Sequence, residues 1–476
     1  MKEVRQLSTA KPEHSENPML VVTAVALMSF MGVLTETSLN VSFPALMRQF
    51  HVSLSTVQWV TAGYLLTAAL VMLTSAYMKR RFTNRNLFVA SALMFIIGDI
   101  ICGLAPAYWL LLLGRLIQAG CVGLCTPLMV NIILDVVPRH KLGTYLGIAN
   151  LIILVAPALG PTFGGTVVAF MSWRMIFWIP LPFAVIILLI GQAQIKQYTP
   201  TQKYAFDWLR FAVLAVGLIC LIVGLNALGA NNWLEFGLLL LVTLASFAIF
   251  YRLSLHATRE LFSLDVFKDP AFLYSFLPYI CLQFANVGIN FLIPNYTQAV
   301  FMASSLIGGL VLLPGSLFNG FGQPVYGWML DRFGGKLPLY LGASLFTVAL
   351  LYMAVVGSGM GVLGITLAYM IFAMGRSMAF GNSVAYGLKH IDQKLQNDAN
   401  ALYNTGQQVT GAIGTTVLAL MMGSVHRAGN THAQNVASGS SHAYIMLTVL
   451  GIIILLLFHR LLNLRDAKAA STNIDK

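Results

Sequence analysis

From residue 19 onward the chain returns repeatedly to apolar runs of twenty residues or more. About twenty is the length an α-helix needs to cross a ~30 Å hydrocarbon core. No other feature narrows the fold as much. Inside a bilayer no water satisfies free N–H and C=O groups, so a spanning segment closes its own hydrogen bonds as a helix or joins a sealed barrel. Runs this long and continuous belong to helices, and fourteen can be counted between 19 and 464. Only 9% of the residues are charged and 58% are apolar, whereas soluble domains carry about 25% charge. The first run is too long and too continuous with the rest for a cleaved leader, and it lacks a small-residue cleavage site. The expected fold is all-α and integral to the membrane.

The formal net charge of +12 would suggest a nucleic-acid partner in a soluble protein. Here the basic residues concentrate in MKRRFTNR (78–85), PRHK (138–141) and HRLLNLRDAK (459–468). Short basic loops set membrane orientation, so no nucleic-acid partner is expected. Basic residues follow every second span, and the span count is even. Both termini are therefore expected in the cytoplasm, and a bacterial plasma membrane is the expected location. The stretch HRAGNTHAQNVASGSSH (426–442) reads as a mobile loop on the opposite side. Cys102, Cys121, Cys125, Cys220 and Cys281 all fall in apolar runs without metal-ligand spacing and read as packing residues.

The chain repeats itself. RRFTNR near residue 81 resembles DRFGGK near 332, and GRLIQAG (114–120) shares Gly-Arg-x4-Gly spacing with GRSMAFG (375–381). Both pairs lie about 250–260 residues apart. That exceeds one six-span unit, and two extra spans fill the difference. The expected organisation is a tail (1–18), a six-helix bundle (19–195), a two-helix insert (207–254), a second six-helix bundle (271–464) and a tail (465–476). Two pseudo-symmetric halves of this kind build many secondary transporters.

Several motifs sharpen the reading. GWMLDRFGGK (327–336) joins Gly327, which lets helices approach, to Asp331, Arg332 and Lys336 at a membrane face. NLIILVAPALGPTFGG (150–165) combines prolines that bend a helix with Gly160, Gly164 and Gly165, beside Pro161, for close packing. The first resembles the loop signature of the major facilitator superfamily, and the second the Gly-Pro-x-x-Gly-Gly signature of its drug antiporters. LTETSLNVSFP in the first span and ALYNTGQQVTGAIGTTV (401–417) resemble stretches of the fourteen-helix, EmrB/QacA-like drug:proton antiporters, closest to the lincomycin-resistance type. The resemblance runs the length of the chain. It implies alternating access, with the loop motif as a conformational latch. Two departures stand out. The first loop copy has Arg80 where the family usually has an acid and Thr83 where it has glycine. The first-span acid, Glu36, sits one residue after Thr35, the position where many members carry aspartate. One residue turns a helical side chain by about 100°.

Ionisable residues at membrane depth are expensive and mark function by default. At 1.5 Å per residue, Asp99 lies ~20 Å from one face, Arg115 ~10 Å from the other, and Glu36 ~25 Å from its starting face. The three depths coincide, so Glu36, Arg115 and Asp99 are expected to form a proton-coupling cluster. The resemblance implies a proton-transfer role for Arg115 and supplies none for Asp99, which is either a proton carrier or the buried partner of Arg115. Asp135 reads as a solvated helix-end residue. Asn40, Gln118, Gln283, Asn286, Asn290, Arg376, Asn404 and Gln408 are candidates for the wall of a substrate cavity. Those in 401–417 either line it or bond across helices. Arg376 has no acid at its depth in the last four spans, so its charge needs carbonyls, water, a distant acid or an anionic substrate group.

The expected function is proton-coupled export of hydrophobic or amphipathic compounds, drugs among them, by alternating access. Expected partners are small amphipathic substrates, protons and lipid, and a monomer is expected. There is no nucleotide-binding Gly-rich loop, metal cluster or nucleophile–base pair, so the chain reads as no enzyme, with no cofactor beyond a proton gradient. Two alternatives stand beside this reading: a proton-coupled transporter of one endogenous metabolite or lipid-like solute, and a non-transporting membrane sensor or scaffold.

Overall fold

A computed structural model describes residues 18–137, 141–197, 201, 206–229, 232–255, 264–392, 394–427 and 429–474. The expected N-terminal tail up to 17, and 138–140 of the PRHK loop, lie outside them. Among the described residues there is no strand. Thirteen helical spans are long and apolar enough to cross a membrane. They are α1 (Pro18–Phe50), α2 (Leu54–Leu73), α3 (Asn84–Leu104), α4 (Tyr108–Val136), α5 (Leu142–Phe170), α6 (Met175–Gln194), α7 (Trp208–Gly229), α8 (Trp233–Leu255), α9 (Pro270–Val300), α10 (Ser305–Phe333), α11 (Lys336–Val356), α12 (Gly361–His390) and α14 (His432–Ile474). The fourteenth, α13 (Gln396–Gly423), has the length but a more polar composition.

Local chemistry explains where these helices start. Asp269 caps α9 by accepting from Ala271 N at 2.7 Å, with Pro270 in the first turn where its missing N–H is harmless. Thr83, the residue in place of the motif glycine, caps α3 by accepting from Asn86 N at 3.2 Å. Pro180 interrupts α6, because a proline interior to a helix removes a donor.

The two halves repeat down to backbone detail. His51 and Met302 both take φ of 53° in the turns before α2 and α10. Two residues later Ser53 and Ser304 cap the next helix, accepting from Thr56 N at 3.2 Å and Ile307 N at 3.4 Å. Left-handed φ is uncommon outside glycine, so the same strain at both turns is a strong mark of a repeated unit. Helix pairing repeats as well. The packing of α1 on α5, α3 on α4, α2 on α4 and α1 on α4 recurs as α9 on α13, α11 on α12, α10 on α12 and α9 on α12. Between the halves, α2 meets α13, α5 meets α10, and α1 meets α9.

Those crossings share one end of the bundle, the Phe50 end. Asn295 Nδ2 donates to Asn40 O at 3.2 Å, and Gln298 Nε2 donates to Val41 O at 3.0 Å. Thr416 Oγ1 donates to Gln58 Oε1 at 3.1 Å, and Ser305 Oγ donates to Gly165 O at 3.3 Å. The insert α7–α8 reaches the same junction, where Gln58 Nε2 donates to Asn226 Oδ1 at 3.0 Å. Three glycines beyond that junction, toward the Pro18 end, have open space beside them. A Cβ added at Gly147, Gly320 or Gly327 would meet no heavy atom within 4 Å, although Gly320 is buried.

Three expectations change. Most of the 426–442 loop is helix, because α14 begins at His432. Its small residues serve packing: Gly439 lies against the carbonyls of Met421 and Met422, and Ser440 is fully buried. The helix also continues to Ile474, past the bundle end expected at 464. Asp135 is not solvated; its side chain is 10% exposed and lies 3.9 Å from Lys79 Nζ.

The glycines of 150–165 pack α5 on α1, and Gly165 also meets the other half at the Phe50 end. Gly160 faces Thr37, Gly164 faces the Ser38 carbonyl, and Gly165 faces the backbone of Ser305 across the halves. A Gly165→Ala substitution places a methyl against the Ser305 carbonyl, which has nowhere to move. Overpacking of this kind costs ~1–3 kcal/mol, enough to shift a two-state equilibrium roughly tenfold. Spin labels at Val52 and Ala303 should report a longer separation in the variant; an unchanged distance distribution counts against this gate.

Candidate functional site

The site begins with a charge that lipid would reject. Arg115 on α4 is fully buried. Its Nε donates to Val60 O at 3.3 Å, its plane lies 4.1 Å from the Tyr64 ring centre, and Nη1 donates to Gln118 Oε1 one turn along. A carbonyl, an amide oxygen and an aromatic face thus replace the hydration that the guanidinium loses. Nη2 is sealed without a partner.

Gln118 continues the chain. Its Nε2 donates to Asp99 Oδ1 at 2.6 Å and, more weakly, to Thr35 Oγ1 at 3.3 Å. Thr35 Oγ1 in turn donates to Gly32 O at 3.0 Å. Gln118, expected on the cavity wall, is therefore the bridge between cation and acid. Among the described residues Arg115 makes no direct ion pair with Asp99 or Glu36, although its charge acts on both. Close packing makes the bridge possible. A Cβ at Gly98 would strike Gln118 and the Gly114 carbonyl, so only glycine brings α3 this near α4.

The two acids differ in access. Asp99 is 1% exposed, and its Oδ2 is sealed without a partner. Glu36 is 8% exposed and makes no hydrogen bond among the described residues, and neither of its oxygens is sealed. One carboxyl is locked behind Gln118 and the other opens onto space. Glu36 also stands between Thr35, which bonds the cluster, and Thr37, which packs on Gly160. A single turn of α1 joins acid, cluster and gate.

The remaining candidates divide. Asn40 belongs to the seam between halves, with Oδ1 accepting from Thr61 at 2.8 Å and its carbonyl accepting from Asn295. Gln283, Asn286 and Gln408 make no hydrogen bond among the described residues and are not sealed, as suits a polar wall. Asn290 accepts from Tyr369 OH at 2.9 Å. Asn404 is exposed and donates to Asn400 O on its own helix. Arg376 is buried, with Nη2 donating to Asn319 Oδ1 at 3.0 Å and the Phe380 ring 4.8 Å away. In the latch motif Asp331 is exposed without an ion pair among the described residues, and Arg332 lies over Trp328. Among the described residues no group of three or more His, Cys, Asp or Glu could hold a metal. Tyr64, Gln58 and Asn319 escaped the sequence reading. Their signal was an isolated polar group in an apolar run, which says nothing about what it faces.

The model of the Major Facilitator Superfamily matches residues 25–415. The chain is 31% identical over 460 residues to the lincomycin resistance protein LmrB of Bacillus subtilis (strain 168), covering 94% of this chain and 96% of that protein. It is 27% identical over 412 residues to the tetracenomycin C resistance and export protein of Streptomyces glaucescens, covering 86% of this chain and 76% of that one. Among solved structures, a bacterial homolog of the human lysosomal transporter Spinster, inward-facing and unoccupied, superposes with a TM-score of 0.69 at 14% identity over 94% of this chain and 97% of that one. A D-xylose–proton symporter reaches 0.66 at 15% identity, covering 92% and 96%. With paired six-helix halves, a two-helix insert and a family match across most of its length, the chain belongs to the major facilitator superfamily.

Proposed function

We propose that the chain is a proton-coupled antiporter that exports hydrophobic and amphipathic compounds, drugs among them, by alternating access. The observation that carries this is the placement of Glu36: a buried carboxyl whose oxygens are not sealed, on the helix turn that contacts both the Arg115–Gln118–Asp99 cluster and Gly160 of α5, next to Pro161, which meets Gly309 of the other half. A proton arriving there changes the charge facing Arg115 at the point where α1 meets α5. Charge state and gate packing are thereby linked through one rigid turn, as coupling between two global states requires. Names of relatives with resistance and export roles support the substrate class.

The basic loops put the Pro18 end in the cytoplasm, so the closed Phe50 end makes this an inward-facing state. In the cycle, Glu36 takes a proton when the cavity faces outward and substrate leaves. It releases the proton inward once the halves have rocked to the arrangement seen here. Asp99, held behind Gln118, tunes Arg115 and does not exchange protons in this state. A proton entering through 100 mV supplies ~2.3 kcal/mol before any pH difference. The rival reading as a transporter of one endogenous metabolite uses the same cycle and separates by substrate breadth. A sensor or scaffold has no use for the linked acid and gate.

Three outcomes follow. In proteoliposomes Glu36→Gln should abolish ethidium accumulation driven by a pH gradient while downhill exchange persists, and Asp99→Asn should retain gradient-driven transport at a reduced rate. Full gradient-driven accumulation by the Glu36 variant sinks the coupling role. Gln118→Ala leaves Asp99 Oδ1 and Arg115 Nη1 without a buried partner, at about 1–3 kcal/mol, so its thermal unfolding midpoint should fall by several degrees; an unchanged midpoint means the bridge is unimportant. A cysteine at Asn430 should react with an impermeant maleimide added outside intact cells, and reaction only in inverted vesicles reverses the assigned orientation.

A further inference from the structure

The proton cycle uses the N-terminal half and leaves the equivalent cation of the other half without a task. Arg115 and Arg376 occupy matching places in the repeat, but their surroundings differ. Arg115 has two acids within its field. Among the described residues the phenols of Tyr279 and Tyr369 stand near Arg376 and no ion pair reaches it. Its side chain is 4% exposed, so water does little to screen the charge.

The guanidinium is also incompletely bonded. Nη2 donates to Asn319 Oδ1 at 3.0 Å. Nε is sealed with no partner. Nη1 makes no hydrogen bond either, and it is not sealed. Phe380 covers one face at 4.8 Å. The neighbours add donors and no acid. Asn319 Oδ1 is occupied by Arg376, and Gln323 Nε2 also approaches it at 3.5 Å, which leaves the Asn319 NH2 group free. Gln407 Oε1 is occupied by Tyr279 OH at 2.7 Å, which leaves its NH2 group free as well. Gly320, next to Asn319, is buried yet has open space where a Cβ would stand. The surroundings on α9, α10, α12 and α13 therefore offer a fixed positive fork and two amide donors, with the stacked pair Tyr279 on Phe380 at 4.2 Å backing the guanidinium.

We infer that Arg376, with Asn319 and Gln407, is a subsite for the anionic group of an amphipathic substrate, a carboxylate above all. This rests on the exporter reading for its biological sense and deepens it by naming a substrate class. The fork matches a carboxylate in geometry as well as charge. A buried cation without a counter-ion is expensive, and a bound oxyanion supplies what the fold omits. The cost is met only while substrate is present, so the empty site is primed to bind.

The test is equilibrium binding of radiolabelled indomethacin and its uncharged methyl ester to the full chain in nanodiscs. The pair differs by one negative charge on the same apolar body. The wild type should bind the acid at least tenfold tighter than the ester. Arg376→Gln should remove that preference and leave ester binding within twofold. Arg376→Lys, which keeps the charge and loses the fork, should retain part of it, about threefold; this variant also guards against failure of the glutamine form to fold. Absence of saturable acid binding, equal affinity for acid and ester in the wild type, or a preference that survives Arg376→Gln overturns the inference. Binding needs no proton gradient, so failure of proton-driven export in vesicles would refute the antiporter reading without touching this result.

Discussion

The structure is organised around one buried charge. Arg115 lies where hydrocarbon would exact at least ~2.5–3.5 kcal/mol for a guanidinium, so its surroundings must replace water. Val60 and Tyr64 come from α2, Gln118 from α4, Asp99 from α3, and Thr35 from α1 through Gln118. Four helices of one half are thus tied to one group. The ties depend on glycine, because the Gly98–Gly114 contact lets α3 and α4 approach until Gln118 spans from arginine to acid. Polar bonds specify this half and small residues permit it.

The gate uses the same logic between halves. At the Phe50 end the contact is largely backbone on backbone: Gly165 on Ser305 and Gly309 on Pro161. Such surfaces have little side-chain give, so they are either docked or apart. In the proposed cycle, that bistability is what would convert a small change at Glu36 into rocking of whole halves. The insert is attached where docking occurs, through Asn226, Gln58 and Thr416.

Much of the fold was legible because the bilayer permits so few solutions. Thirteen spans stand out by hydropathy, and the more polar run that becomes α13 was counted beside them by its length. The sequence reading misjudged 426–442, where Ala, Ser and Gly were taken as loop formers. The same small residues are what a tight helix pair needs, as at Gly439, and composition cannot separate the two uses. Asp135 was misjudged similarly, since the lysine that shields it comes from the short helix Ser75–Arg81.

The sequence by itself determined the class of molecule: helical, membrane-spanning, built from two related halves, with three ionisable groups at a shared depth. These follow from local rules, the length of apolar runs and the rise of a helix, which need no knowledge of neighbours. Only the tertiary structure decided that Gln118 stands between Arg115 and Asp99, that Glu36 is open while Asp99 is sealed, and that Arg376 faces donors and no acid. Each of these depends on the rotation of one helix against another. A difference of one residue turns a side chain by about 100°, and no local pattern records which neighbour then stands opposite.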